Sequence, residues 1–409
     1  MLKRAKSCHR PRATEGPGDF RSALAPILLL TAIFFLNFIA RIIMAPLLPV
    51  IRGDLHLDHS GAGRFFLVLS CGYFMALLGS GHLAGRMPHR RVIFLSCAGV
   101  GLALTAIAWA PNLIGIYGGL LVLGLAAGIY LPSGIASITD RVAARHWGKA
   151  LAIHELAPNT AFLLAPLMVE AALGVVEWRT GLMVLGFAAL ALAGIFKWRG
   201  WGADYCGEIP DRRVMAAIAA KPAAWLMMLS FGIGISGTLG LYSMLPLFLV
   251  SDHGMERQWA NSLLAFSRVG SLVAAGFGGW AADRFGPRTT IRVVFLLSGL
   301  LIMGLGVLRG PGLMAAVFCQ PVLAVCFFPA GFSLLSRISS RRSQNITIAV
   351  TIPMAFLIGG GIVPLFLGWM GDAGEFGRAI MLIGLATTLA SSATLGLPGP
   401  EVDTPEGIA

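Results

Sequence analysis

The segment GHLAGRMPHR, residues 81–90, returns 198 residues later as GWAADRFGPR, residues 279–288. Three further matches follow the same order along the chain: MAPL at 44–47 with MLPL at 244–247, LPSG at 131–134 with FPAG at 328–331, and Pro166 with Pro364. Four matches in one order are not expected by chance. The chain therefore consists of two related halves, and the rest of the fold is built on this period.

The composition is that of a membrane protein. Of the 409 residues, 56% are hydrophobic and only 12% are charged, with a mean hydropathy of +0.79. That leaves too little polar surface for a soluble globule of this length. Apolar stretches of about 20 residues, the length that crosses about 30 Å of hydrocarbon, recur from Ala23 to Leu397. The sequence predicts an all-α membrane protein of twelve transmembrane helices, arranged as two six-helix repeats.

Charge and turn residues divide the chain into five parts. The predicted parts are a basic cytoplasmic tail (1–22), a first six-helix half (23–197), a central cytoplasmic loop (198–222), a second six-helix half (223–397) and a cytoplasmic tail (398–409).

The net charge of +12 does not indicate a nucleic-acid partner, because the cations alternate from loop to loop. With the N-terminus inside, 23 Lys and Arg residues fall on the inner side and 6 on the outer side. This bias follows the positive-inside rule. We therefore expect a multi-pass protein of the cytoplasmic (inner) cell membrane with both termini cytoplasmic. The apolar segment after the basic tail is too long for a signal-peptide core and is interpreted as the first span.

The repeated loop resembles the G-x-x-x-D-R-x-G-x-R signature of the major facilitator superfamily. That resemblance covers nearly the whole chain, and it implies alternating access and a carrier rather than an enzyme, with no catalytic residue, cofactor or metal; we expect a monomer. In the first half Gly85 replaces the acid and Pro88 replaces the second glycine, so we expect a weaker inner gate there. The residues that match the gating motif are Gly81, Arg86 and Arg90 in the first half and Gly279, Asp283, Arg284, Gly286 and Arg288 in the second.

Two arginines lie within spans, where a charge costs at least about 2.5 kcal/mol on insertion scales. Arg41 lies in the first predicted span (23–51), one helical turn after Asn37, and Arg268 lies at the centre of the eighth (258–280). Guanidinium groups match carboxylates and phosphates, so one arginine from each half predicts an anion site between the halves. Organic-anion carriers of the superfamily resemble this pattern. The alternative is a structural link to helix carbonyls or snorkelling to the interface.

One acid lies deep in a span. Glu155, beside His154, lies seven residues into the fifth predicted span (148–173). We interpret this pair as the proton-coupling site, with Glu155 facing the cavity and held ionised by Arg41 or Arg268 in the empty carrier. The alternative role for Glu155 is a purely structural ion pair, since buried charges are normally paired.

Other polar residues in spans are candidates for the lining of the anion site. They are Asn37, Tyr130, Tyr242 and Gln320, with Tyr73 as a further candidate, and each is also explained by hydrogen-bonded packing. The six cysteines include no C-x-x-C pair, so we expect free thiols and no metal site.

The preferred hypothesis is a secondary active transporter that moves a small organic anion, a carboxylate, by proton symport. Its partners are then the anionic solute, protons and the lipid bilayer. One alternative is a proton-coupled exporter of lipophilic compounds, although two fixed positive charges disfavour cationic ones. Another is a protein of this fold that acts as a sensor or assembly factor without transport.

Overall fold

A computed structural model describes residues 20–207, 222–338 and 344–394. These residues form helices and loops with no strand, and twelve helical spans are long and apolar enough to cross a membrane. The expected all-α architecture of twelve spans is confirmed. The predicted tails lie almost wholly outside the described residues, as does most of the central loop. The twelve spans, numbered in chain order, are Phe20–Asp54, His59–Ala84, His89–Trp109, Leu113–Arg141, Ala144–Leu173, Trp178–Arg199, Ala224–Ser251, Arg257–Phe285, Pro287–Val307, Gly310–Ser336, Ala349–Asp372 and Phe376–Ala393.

Several spans are interrupted near their middle. Span 1 consists of the helices Phe20–Ile42 and Met44–Asp54, and span 8 of Arg257–Ser267 and Val269–Phe285. Spans 4 and 10 are similarly divided after Gly128 and Val325. Such breaks release backbone carbonyls inside the membrane, where they need partners from neighbouring spans.

Spans 7 and 11 each contain a π-helical turn, at Ser236–Gly240 and Ile358–Ile362. The two turns touch each other, and a Cβ on Gly240 would clash with the Gly359 carbonyl oxygen. Glycine is therefore required for this close approach of two backbones. The widened turns lie beside the site described below.

The bundle has two faces, named here by the chain ends. The terminal face is the one at which span 1 begins, and the distal face holds the turns after spans 1, 3, 5, 7, 9 and 11. The halves pack against each other along their distal parts, where spans 1, 2 and 5 contact spans 7, 11 and 8. The terminal parts of spans 4 and 10 instead pack mainly within their own half. In this conformation the halves are joined at the distal face.

The loops of the repeated signature lie at the terminal face. Gly286, in the turn between spans 8 and 9, adopts a φ of 84°, a left-handed conformation that favours glycine. Arg90 Nε lies 2.7 Å from Asp204 Oδ1, so an acid after span 6 replaces the one missing at position 85. At the equivalent position in the second half, Arg288 Nε donates to the Thr394 carbonyl at the end of span 12 (2.9 Å).

A charge network between the signature acid and the neighbouring arginines is not formed among the described residues in this conformation. Asp283, Arg284 and Arg86 are exposed, and none of them forms an ion pair with another described residue. The halves here are joined at the distal face, so this terminal network is not needed to hold them. The expectation of free thiols holds for Cys71, Cys97, Cys319 and Cys326 and is wrong for Cys206, which is disulfide-bonded.

Candidate functional site

Arg41 lies in an aromatic cage between the two halves. Its guanidinium carbon is 4.6 Å from the ring centroid of Phe38, 4.3 Å from that of Tyr73 in span 2 and 5.6 Å from that of Phe356 in span 11. The residue is 6% exposed. Phe38 precedes Arg41 by three residues on the same helix face, and Phe356 comes from the opposite half. Ring faces attract a cation, by about 2 kcal/mol when both are desolvated.

Arg268 lies in a second cage of the same kind. Its guanidinium carbon is 4.6 Å from the ring of Phe162 in span 5 and 4.8 Å from that of Tyr242 in span 7. Its Nη2 donates to the Thr238 carbonyl in the π turn of span 7 (3.1 Å), and the residue is 7% exposed. The Tyr242 hydroxyl donates to the Phe162 carbonyl (3.5 Å) across the boundary between the halves.

The two cages share a wall. Phe38 and Phe162 meet edge to face with 5.1 Å between ring centroids, so the chain of contacts runs from Arg41 through both rings to Arg268. Beside Arg41 a cavity of about 20 Å³ is lined by residues of both halves, including Ser243 and Gly360. That volume is close to the space for one water molecule. In this conformation the site is therefore occluded.

Neither arginine has a carboxylate partner among residues 20–207, 222–338 and 344–394. Within the described part of the chain, no acid lies within ion-pair distance of either guanidinium, and the Nε atom of each is buried without a hydrogen-bond partner. A buried charge without a counter-charge is costly, and so is a buried donor without an acceptor. Two such cations with donors to spare form a site that is complementary to an anion. Both side chains are buried between helices, so neither snorkels to the membrane surface.

His154 and Glu155 form a pair beside span 1. The Tyr130 hydroxyl donates to the Leu30 carbonyl (2.7 Å), so its oxygen accepts from His154 Nε2 (3.1 Å). This network assigns the ring proton to Nε2 and leaves Nδ1 as a buried acceptor, 3.6 Å from Glu155 Oε1. The imidazole is fully buried and stacked on Phe34 at 4.4 Å, whereas the Glu155 side chain is 56% exposed.

The prediction that Glu155 pairs with Arg41 or Arg268 is therefore wrong in this conformation. Glu155 precedes Phe162 by seven residues, so the two lie on nearly the same face of span 5. Phe162 touches the second half, and Glu155 lies about 10 Å along the helix from it, toward the terminal face. Span 5 contacts the second half mainly through the distal part of span 8, Arg257–Ser267, so Glu155 lies on the terminal side of these contacts.

Three predicted lining residues form hydrogen bonds within their own half, and among the described residues none of these bonds is to Arg41 or Arg268. Asn37 Nδ2 donates to Ser96 Oγ (3.2 Å) and to the Ala127 carbonyl (3.3 Å), which ties span 1 to spans 3 and 4. Gln320 Nε2 donates to the Gly237 carbonyl (2.8 Å) and ties span 10 to span 7. Tyr130 is fully buried beside His154. Tyr242 is the predicted residue that the fold brings to an arginine, together with the secondary candidate Tyr73.

Sequence reasoning missed the phenylalanines of both cages. The position of Phe38, on the same helix face as Arg41, could have indicated its role. No sequence signal distinguishes Phe162 and Phe356 from the other apolar residues of their spans, because they reach the arginines only through contacts between the halves.

Two carboxylates fasten the halves to each other at the distal face. Asp372, at the end of span 11, accepts from the backbone N–H groups of His59 (2.6 Å) and Ser60 (3.0 Å), and so caps span 2. Glu170 in span 5 pairs with Arg257 Nη1 of span 8 (2.7 Å). Each acid belongs to one half and its partners to the other. The helix N-terminus also favours the negative charge of Asp372. These contacts close the distal end of the site.

The comparisons with known proteins agree with this architecture. The chain is 23% identical to the 4-hydroxybenzoate transporter PcaK of Pseudomonas aeruginosa, over 90% of this chain and 91% of that protein. It is 25% identical to the 3-(3-hydroxy-phenyl)propionate transporter of Escherichia coli, over 82% and 86% of the two chains. Its fold matches an inward-facing, occupied crystal structure of a bacterial homolog of the human lysosomal transporter Spinster, with a TM-score of 0.77 and 17% identity, over 93% of this chain and 97% of that one. The family model of the Major Facilitator Superfamily matches residues 30–352. The chain therefore belongs to the major facilitator superfamily and is a membrane transporter rather than an enzyme.

Proposed function

We propose that this transporter carries an aromatic carboxylate by alternating access, in symport with protons. The observation that carries the proposal is the pair of arginine cages. Arg41 and Arg268 are buried, lack a carboxylate partner among the described residues and are surrounded by aromatic rings. A carboxylate satisfies the free guanidinium donors, and an aromatic ring packs among the phenylalanines. The named substrates of the two relatives, 4-hydroxybenzoate and 3-(3-hydroxyphenyl)propionate, have this chemistry.

The proton is bound by Glu155 together with His154. The Glu155 side chain is 56% exposed, and the free Nδ1 of His154 is an acceptor 3.6 Å from its carboxyl group. His154 stacks on Phe34, which meets Phe38 at 6.2 Å, and Phe38 forms part of the Arg41 cage. A proton bound at this pair changes the charge next to the same helix that holds Arg41. That contact route supports coupling between proton and anion.

The terminal face is assigned to the cytoplasm of a cell with an inner membrane. The support is the excess of Lys and Arg in the N-terminal tail and the loops on that side, 23 against 6 on the other. The occluded, distally joined conformation then corresponds to a carrier closed toward the outside.

The decisive experiment is uptake by purified protein in liposomes. Labelled 4-hydroxybenzoate should accumulate when the outside is made acidic, and an ionophore that collapses the proton gradient should abolish accumulation. A cationic dye of similar size is the control and should not be transported. If the protein binds 4-hydroxybenzoate and moves none, it is a sensor and the transport of this solute is refuted. If it transports the dye instead, the anion site is refuted.

A further inference from the structure

The first half carries a basic groove with an apolar floor on its surface at the terminal face, separate from the arginine cages. It has a volume of about 450 Å³ and lies between the start of span 3 and the end of span 6, at the terminal face. Its lining includes Arg90, Arg91, Phe94, Leu95 and Lys197. The transport cycle proposed above does not use it.

The rim of the groove carries cations that the described residues do not neutralise. Arg90 is paired with Asp204, whereas Arg91 and Lys197 are exposed and form no ion pair within the described part of the chain. Lys197 Nζ lies over the ring of Phe94, 5.4 Å from its centroid. Its charge is thereby held at the mouth of the groove rather than directed away from it. The groove therefore favours an anion.

The depth of the groove is that of lipid headgroups. Trp198, directly after Lys197, is 80% exposed, and Arg199 stacks over Trp198 and Trp201 at 5.1 and 5.5 Å. Exposed tryptophans of this kind mark the boundary between membrane and water. The groove thus opens where phosphate groups of the bilayer lie.

The floor of the groove continues into the hydrocarbon region. Leu95 lines the groove, and Leu102, seven residues later on the same face of span 3, is also exposed. A soluble anion would gain nothing from this apolar strip, whereas an acyl chain would cover it.

We propose that this groove is a binding site for one anionic phospholipid, with its phosphate between Arg91 and Lys197 and the start of an acyl chain along Phe94 and Leu95. Basic pockets at the ends of transmembrane helices attract such headgroups, and each cation near the membrane surface is expected to change affinity about fivefold. The site belongs to the first half alone, because Thr289 occupies the position equivalent to Arg91 in the second.

Native mass spectrometry of the full chain in detergent tests the proposal, with phosphatidylglycerol and phosphatidylcholine of identical acyl chains at equal concentrations. One phosphatidylglycerol should be retained in preference to phosphatidylcholine. Arg91→Gln and Lys197→Gln should each weaken that retention about fivefold. Arg292→Gln is the matched control, since Arg292 is exposed near the same end of the equivalent span 9, and it should change nothing.

The following results of the same measurement would contradict the proposed lipid site. Equal retention of the two lipids, or unchanged retention in both variants with their melting temperatures intact, excludes an anionic-lipid site at this groove. Full competition by glycerol 1-phosphate at the concentration of the lipid would show that a soluble phosphate is the ligand instead. None of these outcomes depends on whether the protein transports 4-hydroxybenzoate, so the test is independent of the proposed function.

Discussion

Arg41 and Arg268 each pack against a tyrosine of their own half, and the spans that supply arginine and tyrosine are exchanged between the halves. In the first half the arginine is on span 1 and its tyrosine, Tyr73, is on span 2; in the second the tyrosine, Tyr242, is on span 7 and the arginine on span 8. A phenylalanine of the opposite half completes each cage. The halves can therefore separate only if each arginine loses an aromatic contact, and an anion that replaces this contact couples binding to movement of the halves.

Replacement of either arginine should weaken binding of the anion. Arg41→Gln and Arg268→Gln each remove a buried charged donor worth about 1.5–3 kcal/mol, so the Kd for 4-hydroxybenzoate should rise roughly tenfold to a hundredfold. Lysine should restore only part of the affinity, because it lacks the planar fork of donors. Binding is measured by calorimetry on detergent-purified protein.

The control for this pair is Arg179, which donates to the Ala108 and Ala110 carbonyls at 3.0 and 2.9 Å and is a structural arginine. Arg179→Gln should lower the melting temperature and leave the Kd unchanged. Normal affinity in both Arg41→Gln and Arg268→Gln would mean that the cages hold the helices together and do not bind the solute.

Neutralisation of Glu155 should separate solute movement from the proton gradient. Glu155→Gln mimics the protonated carboxyl group, so labelled 4-hydroxybenzoate should still exchange with unlabelled solute across liposomes. Accumulation driven by an imposed pH gradient should be lost. By linkage, the proton and the anion raise each other's affinity equally in the native protein, and this coupling should disappear in the variant.

His154→Gln provides the comparison for Glu155→Gln. Accumulation that persists in Glu155→Gln and vanishes in His154→Gln would assign the proton to the imidazole alone.

Loss of a distal carboxylate should favour opening of the distal face. Asp372→Asn removes the charge that caps span 2, a contribution of about 0.3–1 kcal/mol, or roughly a twofold to fivefold change in the conformational equilibrium. A cysteine introduced at Ser243, which lines the cavity beside Arg41, should then react faster with a membrane-impermeant thiol reagent added from the distal side. The background is a variant with the native cysteines replaced.

The matched control is Glu375→Gln on the same face. Glu375 pairs with Arg378 within span 12 and does not connect the halves, so its replacement should leave the labelling rate unchanged. A rate in Asp372→Asn no higher than in Glu375→Gln would show that the cap on span 2 does not hold the distal face closed.

Labelling of introduced cysteines also determines the orientation. A cysteine at Asp252 on the distal face should react with an impermeant reagent applied to intact cells, and one at Arg145 on the terminal face should react only after the cells are opened. The reverse pattern would place the terminal face outside, contrary to the charge bias.

The sequence by itself determined the membrane class, the twelve spans, the twofold repeat and the presence of a buried arginine in each half. These features follow from apolar length and from residue identities at a fixed period, both of which are local along the chain. Tertiary structure alone decided what surrounds each arginine. Phe162 and Phe356 lie far from their arginines in sequence and meet them only because spans 5 and 11 pack against the opposite half. Likewise, Asp204 pairs with Arg90, in place of the acid absent at Gly85, only because the chain folds back after span 6. Contacts between distant segments depend on how whole helices pack, and neither hydropathy nor periodicity encodes that packing.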